Sequence, residues 1–229
     1  DPSLLRTKNV IAAHCTNTGG KAYVDFGIYA RNEQQEVFDI VALQKKVEMT
    51  ATQTLYTFEC GSVDLELKFT SPLLPNNLDL LSRPVNYITY DIRSNDGQKH
   101  DVDVYFEMTP QWAVNEIDQE VKISKGATGS VDFLKTGTTS QNVLGRAGDN
   151  VRIDWGYAYL AAAKTEHASF AIGDYARAKE SFINGGSLLS ADSLVTGMKA
   201  SMPVLSYVNR LGKKTGFSGY VMIGYDDIS

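Results

Sequence analysis

Carboxylates are the side chains in this sequence whose types and spacing come closest to catalytic chemistry. Asp226 and Asp227 are adjacent, and Asp79 and Glu107 are further candidates for a general acid and base. Neighbouring residues of one strand point to opposite faces of a sheet, so Asp226 and Asp227 cannot both reach the same substrate atom. A solvated surface is the simpler interpretation, and we predict no catalytic residue from these carboxylates.

Aromatic residues offer a second kind of chemistry. Trp155, Tyr157 and Tyr159 alternate along a stretch, residues 152–163, that reads as one long strand. On one exposed face, together with Trp112, these rings would form a platform on which a sugar stacks. Aromatic residues on one strand face also serve simply to pack one sheet on another. The sequence alone leaves both interpretations open.

The remaining reactive residue types form no recognisable site. His14, His100 and His167 are dispersed and fit no catalytic triad spacing. No Gly-x-Ser-x-Gly elbow and no phosphate-binding loop is present. The two cysteines, Cys15 and Cys60, form no Cys-x-x-Cys pair, so we predict neither a metal site nor a cofactor. A disulfide and two buried free thiols are both compatible with the sequence.

A loop at residues 73–83 is unusually apolar and carries a pair of opposite charges. Asp79 and Arg83 stand just before Pro84, within the sequence LDLLSRP. Such a pair beside a proline predicts a bidentate ion pair that fixes the conformation of the loop.

Bulk composition excludes several classes of protein. The chain has 229 residues, 43% of them hydrophobic, which suits a globular protein with a sizeable core. Its net charge is −5 and its basic residues are scattered, so we expect no nucleic-acid partner. No apolar run approaches the roughly 20 residues of a membrane-spanning helix. The first residues form no signal peptide, which is typical of a mature product or an excised fragment.

Alternation with a period of two predicts the strands that must position these residues. Apolar and charged residues alternate from Val63 to Phe69, as expected of a strand with one buried face. The same pattern recurs over residues 86–94 and 100–108, on either side of Asn95-Asp96-Gly97. This pattern predicts an antiparallel hairpin across that turn. We expect Val102, Val104 and Phe106 to be buried in the core. Asp101 and Asp103, on the other face of the strand, should be exposed to solvent.

Short strands and frequent turns over the rest of the chain indicate an all-β fold. The helix signals are a short turn at residues 76–81 and a helix over Tyr175–Ile183, near 174–184, which Asn184-Gly185-Gly186 ends. We therefore predict a single antiparallel β-sandwich domain over residues 1–229, of the supersandwich kind. Residues 1–45 are the least legible part of it.

Several strings between residues 47 and 229 resemble the non-catalytic β-domain of glutaminase-A-type proteins. The strings are TQTLYTF (52–58), SPLLP (71–75), LDLLSRPVNY (78–87), WAVN (112–115), RIDWGY (152–157) and GYDDIS (224–229). The resemblance implies a larger secreted or periplasmic protein whose C-terminal α/α barrel hydrolyses glutamine to glutamate and ammonia. It implies no catalytic residue in this chain, which is expected to be inactive alone.

The same architecture is similar to that of glycoside hydrolases in which a β-supersandwich precedes an α/α barrel. The alternative is therefore a carbohydrate-binding or accessory domain of such an enzyme. On either interpretation the partner is an α/α barrel of the same parent chain, and we expect it to dock on the apolar loop 73–83. An uncovered docking surface would also favour dimers. The candidate interdomain or ligand surface comprises Asp79, Arg83, Trp112, Trp155, Asp226 and Asp227.

Overall fold

Two β-sheets face each other across a shared apolar core in the computed structural model, which describes residues 8–15, 41–185, 194–200 and 203–228. In chain order the strands are β1 (Lys8–Cys15), β2 (Leu43–Met49), β3 (Gln53–Cys60), β4 (Val63–Thr70), β5 (Val85–Ser94), β6 (His100–Met108), β7 (Glu120–Thr128), β8 (Val131–Thr138), β9 (Gly156–Ala163), β10 (Ala168–Asp174), β11 (Leu194–Lys199), β12 (Pro203–Lys214) and β13 (Gly216–Asp227). The helices are α1 (Leu78–Leu81) and α2 (Tyr175–Ile183), with a 3-10 turn at Pro110–Ala113. This architecture confirms the predicted all-β sandwich and the position of its helix.

The two sheets differ in size. The larger has nine strands in the order β11-β7-β8-β9-β13-β5-β4-β3-β2, and all its pairs are antiparallel. The smaller has the order β1-β6-β12-β10, in which β1 and β6 run parallel. In the described residues no helix is both long and apolar enough to cross a membrane.

Strand β4 follows the period-two prediction. Val63, Leu65 and Leu67 are buried in the core, whereas Asp64 and Glu66 are exposed on the outer face of the large sheet. Since burying one leucine or valine side chain contributes about 1.5–3 kcal/mol, this alternation fixes which face of the strand turns inward.

The predicted hairpin of residues 86–94 with 100–108 is wrong. Both strands exist, but β5 pairs with β4 and β13 in the large sheet, and β6 pairs with β1 and β12 in the small one. The turn at Asn95-Asp96-Gly97 therefore carries the chain from one sheet to the other. Alternation shows that a strand buries one face, but it does not identify the neighbouring strand.

A second crossover lies beside the first. Strand β12 ends at Lys214 and β13 begins at Gly216 in the opposite sheet. The Ser94 N–H donates a hydrogen bond of 2.8 Å to the carbonyl of Thr215, which ties the two crossovers together.

The expected exposure of Asp103 is also wrong. Val102 and Phe106 are buried and Asp101 is exposed as predicted, while Val104 is half-buried. Asp103 is only 3% exposed, and its Oδ2 lies 2.6 Å from Nη1 of Arg210. A buried carboxylate requires such a partner, because an unpaired charge in the interior is strongly unfavourable.

Helix α2 explains why both faces of β6 are buried. Its Phe182 ring packs against Tyr105 of β6 with ring centroids 4.9 Å apart. Beside this contact Glu107, which is fully buried, accepts a hydrogen bond from the Tyr105 hydroxyl and lies 2.8 Å from Nζ of Lys179. An apolar cluster that joins Ala178 and Phe182 to Tyr105, Val204 and Val208, together with this buried ion pair, holds the helix on the small sheet.

Cys60 is a buried free thiol at the end of β3. Burial, with the nearby charges of Asp64 and Glu59, raises its pKa to about 12, so it stays protonated and unreactive at neutral pH. The side chain of Cys15 lies outside the described residues. At Cys60 the structure agrees with the free-thiol interpretation.

Replacing Phe106 by alanine tests the core between the sheets. The ring is 6% exposed, so we expect Phe106→Ala to lower the free energy of unfolding by about 3–5 kcal/mol. Urea denaturation of the variant measures this. Asp101→Ala, at an exposed position of the same strand, is the control and should change stability by less than about 0.5 kcal/mol. Equal effects of the two substitutions would contradict the assignment of faces.

The crossover turn makes a prediction about pH. Hydrogen bonds from the His100 ring, the Gln98 N–H and the Ser94 hydroxyl lower the pKa of Asp96 to about 2. A lowered folded-state pKa means that Asp96 contributes stability above about pH 4, its unfolded value, and loses that contribution as the pH falls towards 2. NMR titration of the carboxyl carbon should show the low pKa in the native protein. It should show a higher pKa in His100→Ala; an unchanged value would refute the hydrogen bond as the main cause.

Candidate functional site

One end of the large sheet gathers most of the residues singled out from the sequence. Asp79 and Arg83 lie in the loop between β4 and β5, and Asp226 and Asp227 lie at the end of β13. Strand register places these elements side by side, because Gly224 of β13 pairs with the first residue of β5 and Asp227 with the first residue of β9. Trp155 immediately precedes β9 at this same end.

The loop before β5 exposes leucines. Leu73 is 56%, Leu74 47% and Leu78 72% exposed, and Leu80 is also exposed. These leucines do not fold back onto the sandwich but remain uncovered in this chain. Isolated exposed leucines are common, but several in one loop mark an interaction surface.

The ion pair predicted to fix this loop is absent. Asp79 and Arg83 are both exposed, and among the described residues neither forms a salt bridge. The loop is held by neutral groups instead. Asn77 caps α1, accepting a 3.1 Å hydrogen bond from the Leu80 N–H, and the Ser71 hydroxyl donates to Asn86 Oδ1 at 2.6 Å. The short helix at residues 76–81 was predicted correctly, but its stabilising contact was not.

Two of the strings that carry the resemblance meet in space. Asn115, from WAVN, accepts a 2.8 Å hydrogen bond on Oδ1 from the Arg152 N–H of RIDWGY. Gln119 donates from Nε2 to the buried Asp154 at 2.8 Å, and Arg146 Nε lies 3.3 Å from the same carboxylate. These contacts hold the segment before β9 against the start of β7. Their residues therefore have a structural role in this domain.

Of the two interpretations that the sequence left open for the aromatic residues, the sugar platform does not hold for Trp155. Strand β9 begins only at Gly156, and Trp155, which is 9% exposed, turns into the interior. Trp112 is half-buried against the core, and its buried indole N–H has no partner among the described protein groups. Tyr157 and Tyr159 alone lie half-buried on the outer face, where Lys135 Nζ stands 4.5 Å from the Tyr157 ring centroid.

Further aromatic and apolar residues, which the sequence analysis missed, lie on this outer face. The Phe133 ring of β8 packs against Tyr159 with centroids 5.8 Å apart, and Tyr87 and Tyr220 form a second pair at 6.2 Å. The sequence did contain a pattern that could have revealed this face. Tyr220, Met222 and Gly224 alternate with Val221 and Ile223, which marks a second, partly apolar face on β13. It was missed because Val221 and Ile223, on the buried face, already account for the alternation.

Phe133 and Tyr159, with residues of β5 and β13, enclose a groove of about 350 Å³ above Gly224, which we call the outer groove. Ala161 and Gly224 form its floor. Its walls are formed by Pro84, Val85, Phe133, Tyr159 and Met222, with Asp226 at one end. The glycine is required for packing, because a Cβ at position 224 would lie 2.3 Å from the carbonyl oxygen of Pro84.

Asp226 is the charged group of the outer groove. Burial and then the negative charge of Asp226 raise the pKa of the Tyr159 hydroxyl, which therefore remains neutral and able to donate a hydrogen bond. Tyr225, on the inner face, donates to the Ile153 carbonyl at 3.2 Å, and burial with the charges of Asp154 and Asp227 raises its pKa to about 12. Apolar walls, tyrosine hydroxyls and one carboxylate suit binding rather than acid–base catalysis.

The buried carboxylates of the described residues are all engaged in structural contacts. Asp103 pairs with Arg210, Glu107 with Lys179, and Asp154 with Arg146 and Gln119. Glu107, considered from the sequence as a catalytic acid or base, therefore anchors a helix. Within the part of the chain that the structure describes, no cluster of three His, Cys, Asp or Glu side chains is arranged to hold a metal ion.

Comparison with protein families gives a match over most of the chain. Residues 52–229 match the family model described as "Domain of unknown function (DUF5127)". Among curated proteins, glutaminase A of Aspergillus oryzae is 26% identical over 185 residues, which cover 79% of this chain and 26% of that protein. The chain thus spans about a quarter of the length of this relative.

Among solved structures the likeness is more distant. The heparan sulfate lyase HepC from Pedobacter heparinus aligns with 81% of this chain and 22% of its own, at 7% identity and a TM-score of 0.38. A likeness of this degree carries no inference about function.

The packing of Gly224 against β5 is open to a direct test. In Gly224→Ala the new Cβ would press on the Pro84 carbonyl, so we expect a loss of about 1–3 kcal/mol in the free energy of unfolding. Gly216→Ala, on the same strand, is the matched control, because its Cβ would meet nothing nearer than the Ile92 carbonyl at 3.8 Å. Urea denaturation compares the two variants. A Gly224→Ala protein as stable as the control would mean that β5 and β13 are less closely apposed than described.

Proposed function

This chain belongs to the family of DUF5127 domains, and on that premise we propose that it is a non-catalytic β-sandwich domain of a larger, secreted or periplasmic glutaminase-like hydrolase. Its role is to pack against and support an α/α-barrel catalytic domain of the same parent protein. The reaction of that parent is the hydrolysis of L-glutamine to L-glutamate and ammonia.

The observation that carries the proposal is the likeness to glutaminase A. The matched segment accounts for 26% of that protein, so most of the relative lies outside the part that this chain resembles. A domain of this kind need not itself contain the catalytic residues.

The contacts of the buried carboxylates among the described residues favour a non-catalytic role. Each buried carboxylate forms an ion pair or a hydrogen bond with a basic or amide side chain, and these contacts stabilise the sandwich. A catalytic carboxylate needs instead a cleft in which it can reach a substrate.

The exposed leucines support docking of a second domain on loop 73–83. Leu73, Leu74 and Leu78 are each about half or more exposed in this chain alone. A domain that covered them would remove their apolar surface from water, which stabilises a complex by about 25 cal/mol for each Å² buried. The same uncovered surface would promote dimerisation of the isolated domain, which sedimentation velocity would detect.

Two measurements test this function. The isolated chain should release no ammonia from glutamine above the blank, whereas the parent protein should; turnover by the chain alone would refute the non-catalytic role. Amide hydrogen exchange in residues 73–83 should be markedly slower in the parent protein than in the isolated chain. Residues 120–128, strand β7 at the other side of the sheet, serve as the internal control and should exchange equally in both. Equal exchange in the loop would place the docking surface elsewhere.

The second candidate function is carbohydrate binding in the service of a glycosidase-like partner domain. Tyr157 and Tyr159, half-buried on the outer face, are the observation that favours it. A glycan array probed with the isolated chain tests it. Binding that Tyr159→Ala abolishes would support this function, and an array without hits would exclude it for the glycans presented.

A further inference from the structure

We propose that the outer groove receives one large apolar side chain from the partner domain, flanked by a basic residue that pairs with Asp226. This inference rests on the proposed docking function, which it deepens by assigning a second contact and the chemistry of the segment that makes it. The occupant is a polypeptide segment of the parent protein, and the groove fixes where that segment lies.

The register of four strands creates the space for such a side chain. Across the outer face one row runs from Phe133 through Ala161 and Met222 to Tyr87, and the next runs from Lys135 through Tyr159 and Gly224 to Val85. The smallest residue of each row lies between larger ones, so the larger side chains stand around a gap. Gly224 cannot be enlarged without striking the Pro84 carbonyl, and backbone packing therefore keeps the gap open.

The composition of the groove favours an apolar side chain over a sugar. A site for a sugar or another small polar ligand supplies several convergent hydrogen-bonding groups. The side chains that line the outer groove are aromatic, aliphatic or proline, apart from Asp226 and the tyrosine hydroxyls. Its volume of about 350 Å³ is at the lower end of the roughly 300–1,000 Å³ found for ligand pockets, which suits the tip of one protein side chain.

Charge specifies the neighbour of that side chain. Asp226 is exposed at the end of the groove, and no described basic residue lies within ion-pair distance of it. Lys135, on the next-but-one strand, stands over the Tyr157 ring. A lysine or arginine from the partner would complement Asp226, and arginine could bind it in a bidentate manner.

Continuity with the exposed leucines supports a polypeptide occupant. Pro84, which lines the groove, directly follows the loop that carries Leu78 and Leu80. A domain that covers those leucines would therefore extend over the groove at the same end of the sheet. Loop and groove would then form one interface, with the groove as its anchoring pocket.

Site-specific photo-crosslinking in the parent protein tests this assignment. Benzoylphenylalanine placed at position 222 should cross-link to one segment beyond residue 229 or before residue 1, and mass spectrometry should find a large apolar residue next to lysine or arginine there. Two further substitutions are made in the protein that carries benzoylphenylalanine at position 222. Ala161→Trp fills the groove and Asp226→Lys repels a cation, so each should lower the cross-link yield about tenfold or more. Ser218→Trp and Glu66→Lys, on the same outer face but away from the groove, are the matched controls and should leave the yield unchanged.

The outcomes separate this inference from the proposed function. Cross-links confined to residues 1–229, or to a segment without a basic neighbour, would overturn the inference. If loop 73–83 were still protected from exchange in that case, the docking function would stand without the groove. Saccharide binding by the isolated chain that Ala161→Trp abolishes, but Ser218→Trp does not, would also overturn it by identifying a sugar as the occupant.

Discussion

Apolar contact between the two sheets is the interaction on which the rest of this structure depends. Side chains from both sheets interlock in one continuous core, which includes Leu65, Ile92, Phe106 and Leu205. A small polar network crosses the same space: Asn209 of the small sheet donates to the Tyr90 hydroxyl of the large sheet at 3.0 Å. The hydroxyl of Tyr207, also in the small sheet, lies 3.5 Å from the same Tyr90 hydroxyl. Because apolar burial is non-directional, these polar links help to set how the two sheets lie on each other.

That contact explains why the chain changes sheets where it does. Strands β5 and β6 are consecutive, as are β12 and β13, and each pair is divided between the sheets. Each crossover places one strand on either side of the core, so neighbouring segments of the sequence meet through side chains rather than through backbone hydrogen bonds. Helix α2 covers the second face of the small sheet. Its Phe182 ring packs against Tyr105, and its Lys179 forms an ion pair with the buried Glu107.

The large sheet has an outer face that is only partly polar, and most of the candidate residues collect at one end of it. Within the sandwich the most distinctive strings of the sequence have a structural use: Asn115, Gln119 and Asp154 hold the segment that precedes β9. The groups that remain available to a partner are the leucines before β5 and the groove above Gly224. If the domain packs against a neighbour as proposed, these two features are the surface which that neighbour covers.

The sequence by itself determined the class of fold, most of the strands and the helix at Tyr175–Ile183, since period-two alternation and helix stop signals are local properties of the chain. It also identified the apolar loop before β5 and a resemblance to glutaminase-A-type proteins, but not whether that loop is covered. It did not determine the partner of each strand, so β5 and β6 were wrongly joined in a hairpin. Only the tertiary structure decided that Asp103 is buried against Arg210, that Trp155 points inward and that Ala161 and Gly224 open a groove. Each of these depends on residues that lie far apart in the sequence, and alternation along one strand carries no information about what covers its second face.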